Sequence, residues 1–409
     1  MNRRQLVTAA LCAGVRPGNL RGDAAIDSPG KIDETLRSGI ARRKIPATVA
    51  MVAAGSKTLY AGAFGKRDSE GTLAAVDSIF AIASMTKAIT TVAALQLVEQ
   101  GKVTLDEPVS KYLPQLEKLD VLEGFASGGK PILRPARTAI TLKHLLTHTS
   151  GLCYDTWDEK MSRFASPSAG APASAAVGPL MFQPGERWQY GQGVDWAGRL
   201  VEKISGMSLE DYFQARILGP LEMRDTSYIL PPARFDRLIG RWTRENGELK
   251  PNLRTQPAPP KTFNGGGGLY STAADYVRFM QMILRQGRGV NNAAILQPKT
   301  VESMEVNQIG NATAGKMRSY RPDYSSDVDI QPGFTEKWGL GFLINTTAYT
   351  GGRAAGSLAW AGIYNTFFWI DTRSGICCVL LMQFLPFVDK EAVGLLNDFE
   401  RAVYASLRK

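Results

Sequence analysis

A serine followed three residues later by a lysine is the smallest pattern in this chain that could perform nucleophilic chemistry without a histidine. In Ser-x-x-Lys chemistry the amine takes the hydroxyl proton. The pattern occurs, among other places, at Ser84–Lys87, Ser127–Lys130 and Ser406–Lys409, whereas a G-x-S-x-G elbow is absent. Ser127 lies in a Gly-rich loop and Ser406 at the carboxyl end. Of these three, only Ser84-Met85-Thr86-Lys87 opens a strong helical pattern, which runs to about Gln100 and stops at Gly101. Ile89, Val92, Ala93, Leu95, Leu97 and Val98 make that helix apolar nearly all round, so it should be buried. Three residues of helix place the two side chains on one face, about 5–6 Å apart at Cβ. The helix N-terminus offers unpaired N–H groups to a developing oxyanion, and burial with the helix dipole favours a neutral amine. The rival reading is a capping serine beside a lysine that snorkels to solvent.

Other residue types offer less chemistry. The only histidines are His144 and His148. An HxxxH pair without Glu after the first His is a poor metal motif, and no Cys/His cluster completes a site. A structural turn is the better reading, and neither a metal nor an organic cofactor is expected. Four cysteines form no disulfide framework, and the adjacent Cys377 and Cys378 read as buried strand residues. The four glycines at 265–268 lack the Lys-Ser or Lys-Thr of a phosphate loop, so they are expected to let backbones approach closely before a helix opening near 271–275.

The elements that would carry these residues can be read from periodicity. A helix is expected over about 31–43, then strands at 47–54 and 58–65 joined as a hairpin. More strands are expected at 340–346, 357–360, 366–371 and 376–382, before a closing helix at 390–407. Strand character at both ends predicts one sheet built from both termini. The expected division is an α/β sheet domain from 24–104 and 256–409, with a mostly helical insertion at 105–255. Within that insertion, helical patterns occupy 195–204 and 209–217, and a Pro/Gly/Ala/Ser-rich linker covers 165–178.

With 409 residues, 44% hydrophobic and 21% charged, the composition is that of an ordinary globular chain. The net charge of +10 is dispersed, its densest cluster being Arg42-Arg43-Lys44, which argues for a solvated surface over nucleic-acid binding. No apolar run reaches the roughly 20 residues of a membrane span. Arg3-Arg4 and the apolar 6–15 stretch resemble the start of an export signal, but the stretch is short and no clear cleavage site follows. The reading therefore favours a loose arm over 1–23 on a cytoplasmic protein, ahead of a periplasmic or secreted one.

In its surroundings the pattern resembles the serine β-lactamase and penicillin-binding-protein superfamily, and within it the family VIII carboxylesterases and lovastatin-type acyltransferases. The resemblance rests on four segments in the family's order: 80–87 (FAIASMTK), 145–152 (LLTHTSGL), 184–190 (PGERWQY) and 358–364 (LAWAGIY). It implies a central antiparallel sheet flanked by helices. Ser84 would be the nucleophile, with Lys87 and Tyr190 as acid/base partners, and the backbone N–H groups of Ser84 and Ile363 would form the oxyanion hole. Gln192 stands where the family often has Asn. Trp360-Ala361-Gly362 replaces the Lys-Thr-Gly of β-lactamases, as in the esterase branch, so Trp360 brings no charge for a substrate carboxylate while Gly362 still admits close approach. Tyr154 and Trp157 are expected to line the pocket. The expected activity is a carboxylesterase acting on a small-molecule ester through a Ser84 acyl-enzyme. An acyltransferase delivering the acyl group to an alcohol of a larger metabolite is the alternative; a β-lactamase or D-alanyl peptidase and a non-catalytic binding module are weaker ones.

Overall fold

The structure is a computed structural model that describes residues 24–166 and 177–408. The expected arm at 1–23 and most of the 165–178 linker lie outside those residues. The nearly continuous apolar run at 47–54 forms strand β1 (Ala47–Ala54), buried at every position, and a turn at Gly55 returns it as β2 (Lys57–Gly65). From the far end come β3 (Glu336–Trp338), β4 (Leu343–Asn345), β5 (Leu358–Gly362), β6 (Thr366–Asp371) and β7 (Ile376–Leu381). All seven join one antiparallel sheet in the order β2-β1-β7-β6-β5-β4-β3. The expected sheet built from both ends is realised at the β1–β7 seam, where Val49 pairs with Leu381 and Ala54 with Ile376. The short β3 is an addition to the expected set.

Both faces of the sheet are covered, which is why its central strands are apolar without alternation. Helices α1 (Pro29–Arg43) and α5 (Lys390–Ser406) pack together on one face, while α4 (Ala273–Leu284) lies on the other. Successive residues of β6 record this. The Phe368 ring lies 5.0 Å from Tyr276 of α4, and the Trp369 ring 5.7 Å from Phe399 of α5. Cys377 and Cys378 are fully buried in β7.

Two further helices carry the site. Helix α2 (Thr86–Glu99) is almost wholly buried and packs on α3 (Gly193–Ser205). Around α3, the middle of the chain adds short helices and two hairpins, Asp120–Phe125 with Pro131–Pro135 and Trp242–Glu245 with Glu248–Pro251. Its strand content exceeds what helical periodicity suggests, because hairpins this short leave little period-2 signal.

Candidate active site

Ser84 does not begin the long helix. It occupies a 3₁₀ turn, Ala83–Met85, that feeds α2. The chain enters the turn through Ala83 at φ 45°, a left-handed conformation that costs an alanine about 1 kcal/mol and bends the backbone sharply before the serine. Lys87 Nζ lies 3.2 Å from Ser84 Oγ. Its side chain is only 1% exposed, so it does not snorkel and the capping-serine reading fails.

A buried amine must spend its hydrogens on the protein. Lys87 Nζ is 2.6 Å from the Gly266 carbonyl and 3.2 Å from Tyr154 Oη. Tyr154 in turn donates to Asp195 Oδ2 at 2.7 Å. The glycine run makes this possible. Gly265 packs against Gly198 and the Val194 carbonyl of α3, and any side chain at Gly266 would strike the Asp195 carboxylate. Thr90 Oγ1 donates to the Gly265 carbonyl (2.7 Å), and Asn264 Oδ1 accepts from Gly266 N–H (2.8 Å). The run is thus fixed between α2 and α3 with a carbonyl turned on the lysine, the close approach expected of it.

Tyr190 is brought close, but by its ring: Lys87 Nζ stands 4.9 Å from the ring centroid. Its hydroxyl accepts from Trp360 Nε1 at 3.2 Å, and no hydrogen bond joins it to Ser84 or Lys87 among the described residues. Tyr154 holds the position beside the amine instead. Sequence reasoning placed Tyr154 in the pocket wall and passed over Asp195. The available signal was the acid in the first turn of α3, whose N-terminus follows Tyr190 by three residues. Trp157 packs 5.4 Å from Tyr190 and donates its indole N–H to Ser325 Oγ. Gln192 caps α3 and donates its backbone N–H to the Leu152 carbonyl, with its side chain partly exposed.

On β5, Gly362 lies so near the Ile82 carbonyl and the Thr366 hydroxyl that any side chain there would collide with both. This brings Ile363 beside the 3₁₀ turn. Among the described residues, no hydrogen bond occupies the backbone N–H of Ser84 or of Ile363. Both residues line one cleft of about 350 Å³, with Gly266, Arg241, Arg254 and Tyr364. Tyr154, Trp157, Tyr190, Gln192 and Trp360 are not among the residues lining it.

The histidines do structural work. His144 Nδ1 and Thr141 Oγ1 form a reciprocal cap on the helix Leu142–Leu146. His148 packs between Tyr190 and Trp338, and burial, reinforced by the Lys87 charge, pushes its pKa well below the ordinary imidazole value. Among the described residues, no group of three His, Cys, Asp or Glu side chains could hold a metal ion. No helix there is long and apolar enough to cross a membrane.

The Beta-lactamase family profile matches residues 32–402. The chain belongs to the Beta-lactamase family. Among curated relatives, the monacolin J acid methylbutanoyltransferase of Aspergillus terreus is 32% identical over 96% of this chain and 100% of its own length. The lovastatin esterase of Penicillium rubens is 32% identical over 91% of this chain and 98% of its own. The solved simvastatin synthase (LovD) of Aspergillus terreus superposes with a TM-score of 0.78 at 30% identity, covering 93% of this chain and 99% of that one. The fold and kinship implied by the four segments therefore hold, and this Beta-lactamase family member is an enzyme of the β-lactamase fold. Its curated relatives include both a transferase and an esterase, so the carboxylesterase expectation stands beside acyl transfer rather than ahead of it.

Proposed function

We propose that the chain is a serine acyltransferase that passes an acyl group from an ester donor to the alcohol of a small molecule. The observation that carries this reading is the Lys87 Nζ–Ser84 Oγ pair at 3.2 Å, with Ser84 on a cleft that Ile363 also lines. Lys87, as the free amine, takes the Ser84 proton while Oγ adds to the donor carbonyl. The N–H groups of Ser84 and Ile363 stabilise the oxyanion. Collapse breaks the donor C–O bond, and the Lys87 ammonium passes its proton to Tyr190 as that phenol protonates the leaving alcohol. The acceptor hydroxyl then gives its proton to Lys87 and attacks the acyl-enzyme, and collapse returns that proton to Ser84. Tyr190 is assigned the second acid/base role that the family pattern implies.

The cleft also bears on the acceptor. Arg241 donates to the Tyr364 hydroxyl (3.1 Å), and Arg254 donates to the Leu238 carbonyl (3.0 Å) and the Phe235 carbonyl. Burial, with Arg67 nearby, lowers the Arg254 pKa from its ordinary value against the opposing charges of Asp68, Asp236 and Glu70. The names of two relatives specify acceptors that are acids, monacolin J acid and ML-236A carboxylate. A carboxylate-bearing alcohol is therefore the acceptor class assigned here, its charge met by Arg241 and Arg254 in place of the cation that Trp360 lacks. Intact-mass analysis should detect an acyl adduct on Ser84 and transfer to a hydroxy acid in preference to its methyl ester. Ser84→Ala should abolish both, and Arg241→Gln should narrow the acid-to-ester preference. Retained turnover in Ser84→Ala would end the assignment.

Hydrolysis is the second reading, favoured by the lovastatin esterase relative. Release of free acid undiminished by a saturating acceptor would select it. β-Lactam or D-alanyl peptide cleavage ranks below both, because the relatives described above are named for acyl transfer and ester cleavage; nitrocefin turnover tests it.

A further inference from the structure

We propose that Asp195 is a positioning residue: by holding the Tyr154 hydroxyl as an acceptor towards Lys87, it aims the amine's lone pair at Ser84. The inference rests on the acyl-enzyme reading above and adds to it a requirement for orientation.

The argument is a count of hydrogens. A neutral Lys87 has two N–H bonds and one lone pair, and three polar atoms surround Nζ: the Gly266 carbonyl, Tyr154 Oη and Ser84 Oγ. The carbonyl can only accept, so it takes one N–H. Tyr154 and Ser84 can each donate or accept, and the lone pair is available to only one of them. Were the phenol proton directed at Nζ, it would occupy the lone pair, and Ser84 would face an N–H instead of a base. The Asp195 carboxylate removes that option because it can only accept, and it draws the phenol proton to itself at 2.7 Å. Tyr154 Oη then accepts the second N–H, and the lone pair falls towards Ser84 Oγ. Burial, together with the Asp195 charge, pushes the Tyr154 pKa well above its ordinary value, so the phenol keeps its proton throughout. Within the set of Ser84, Lys87 and Tyr154, only the Ser84 proton moves, from Oγ to Nζ.

Asp195 is built to hold this direction. It sits in the first turn of α3, and its carboxylate fills the space that a side chain at 266 would need. One device therefore orients both acceptors of the amine: the glycine run presents the Gly266 carbonyl, and the acid beside it presents the phenol.

The test is the acylation rate with p-nitrophenyl acetate for Asp195→Ala, Asp195→Asn, Tyr154→Phe and the Asp195→Ala/Tyr154→Phe double variant. Asp195→Ala is expected to lower kcat about 10–100-fold with KM within about twofold of the parent. Asp195→Asn, whose Oδ1 still accepts the phenol proton, should recover to within about fivefold of the parent. In the Tyr154→Phe background, Asp195→Ala should cost less than about threefold more, because its partner is already gone. Full activity in Asp195→Ala, an Asp195→Asn no better than Asp195→Ala, or multiplicative losses in the double variant would each overturn the proposal. If Asp195→Ala does not fold, the same cycle run with Asp195→Leu decides. Absence of fluorophosphonate labelling at Ser84 in the parent would instead overturn the acyl-enzyme reading itself.

Discussion

Lys87 shows how burial turns a common residue into a specialised one. A lysine with 1% exposure is tolerated because each of its neighbours accepts or exchanges a hydrogen with it. Tyr190 contributes differently, through a ring face near the amine and a hydroxyl held by Trp360. Its assigned acid/base role predicts that Tyr190→Phe lowers kcat about 10²-fold with little change in KM, measured by steady-state kinetics. Away from the site, burial raises the Glu305 pKa to about 7, with Glu302 adding to the shift and Gln286 opposing it. Because the folded-state value lies above the unfolded one, this group's favourable share of stability is complete at acid pH and is lost as pH rises through about 7. Glu305→Gln should therefore leave stability at pH 4 nearly unchanged and raise it at pH 8, on the order of 1–3 kcal/mol, as read from denaturant midpoints.

At the scale of elements, the site depends on two backbones that come unusually close. The left-handed Ala83 folds the 3₁₀ turn under β5, and Gly362 lets β5 approach the Ile82 carbonyl. Ala83→Gly should relieve the strained φ and, after the added freedom of the unfolded chain, stabilise the protein by about 0.5–1 kcal/mol in chemical denaturation. Gly362→Ala should act in the opposite sense. The methyl would push β5 from the turn and carry the Ile363 N–H with it, so kcat should fall about 10²-fold, as losing one oxyanion donor does. Neither effect follows from helix or strand propensity.

At the scale of the molecule, the sheet ties the two ends of the chain together, and a buried ion pair locks the closing helix against the loop before β5. Arg353 Nη2 lies 2.6 Å from Glu400 Oε2 and Arg353 Nε 2.9 Å from Glu400 Oε1, with both side chains almost inaccessible. Removing one partner leaves a buried charge uncompensated, so Glu400→Leu should cost about 3–5 kcal/mol. The double variant Arg353→Met/Glu400→Leu should cost much less, and thermal or denaturant unfolding of the three proteins would show the non-additivity.

The long apolar elements were legible in the chain itself: the hairpin from 47 to 65, strands 366–371 and 376–381, helix 390–406 and the buried helix after Ser84 each have a period or an apolar run that only one element satisfies. Ser84 and Lys87 were legible for the same reason, since three residues of local structure decide whether they meet. What joins Tyr154, Asp195 and Gly266 to Lys87 could not be read that way. These residues lie 67, 108 and 179 positions from Lys87 along the chain, and hydrogen bonds across such separations are set by how α2, α3 and the glycine run pack. Local sequence dictates which atoms a helix turn brings together; only the packed interior, where every polar hydrogen must find an acceptor, decides which tyrosine the amine faces.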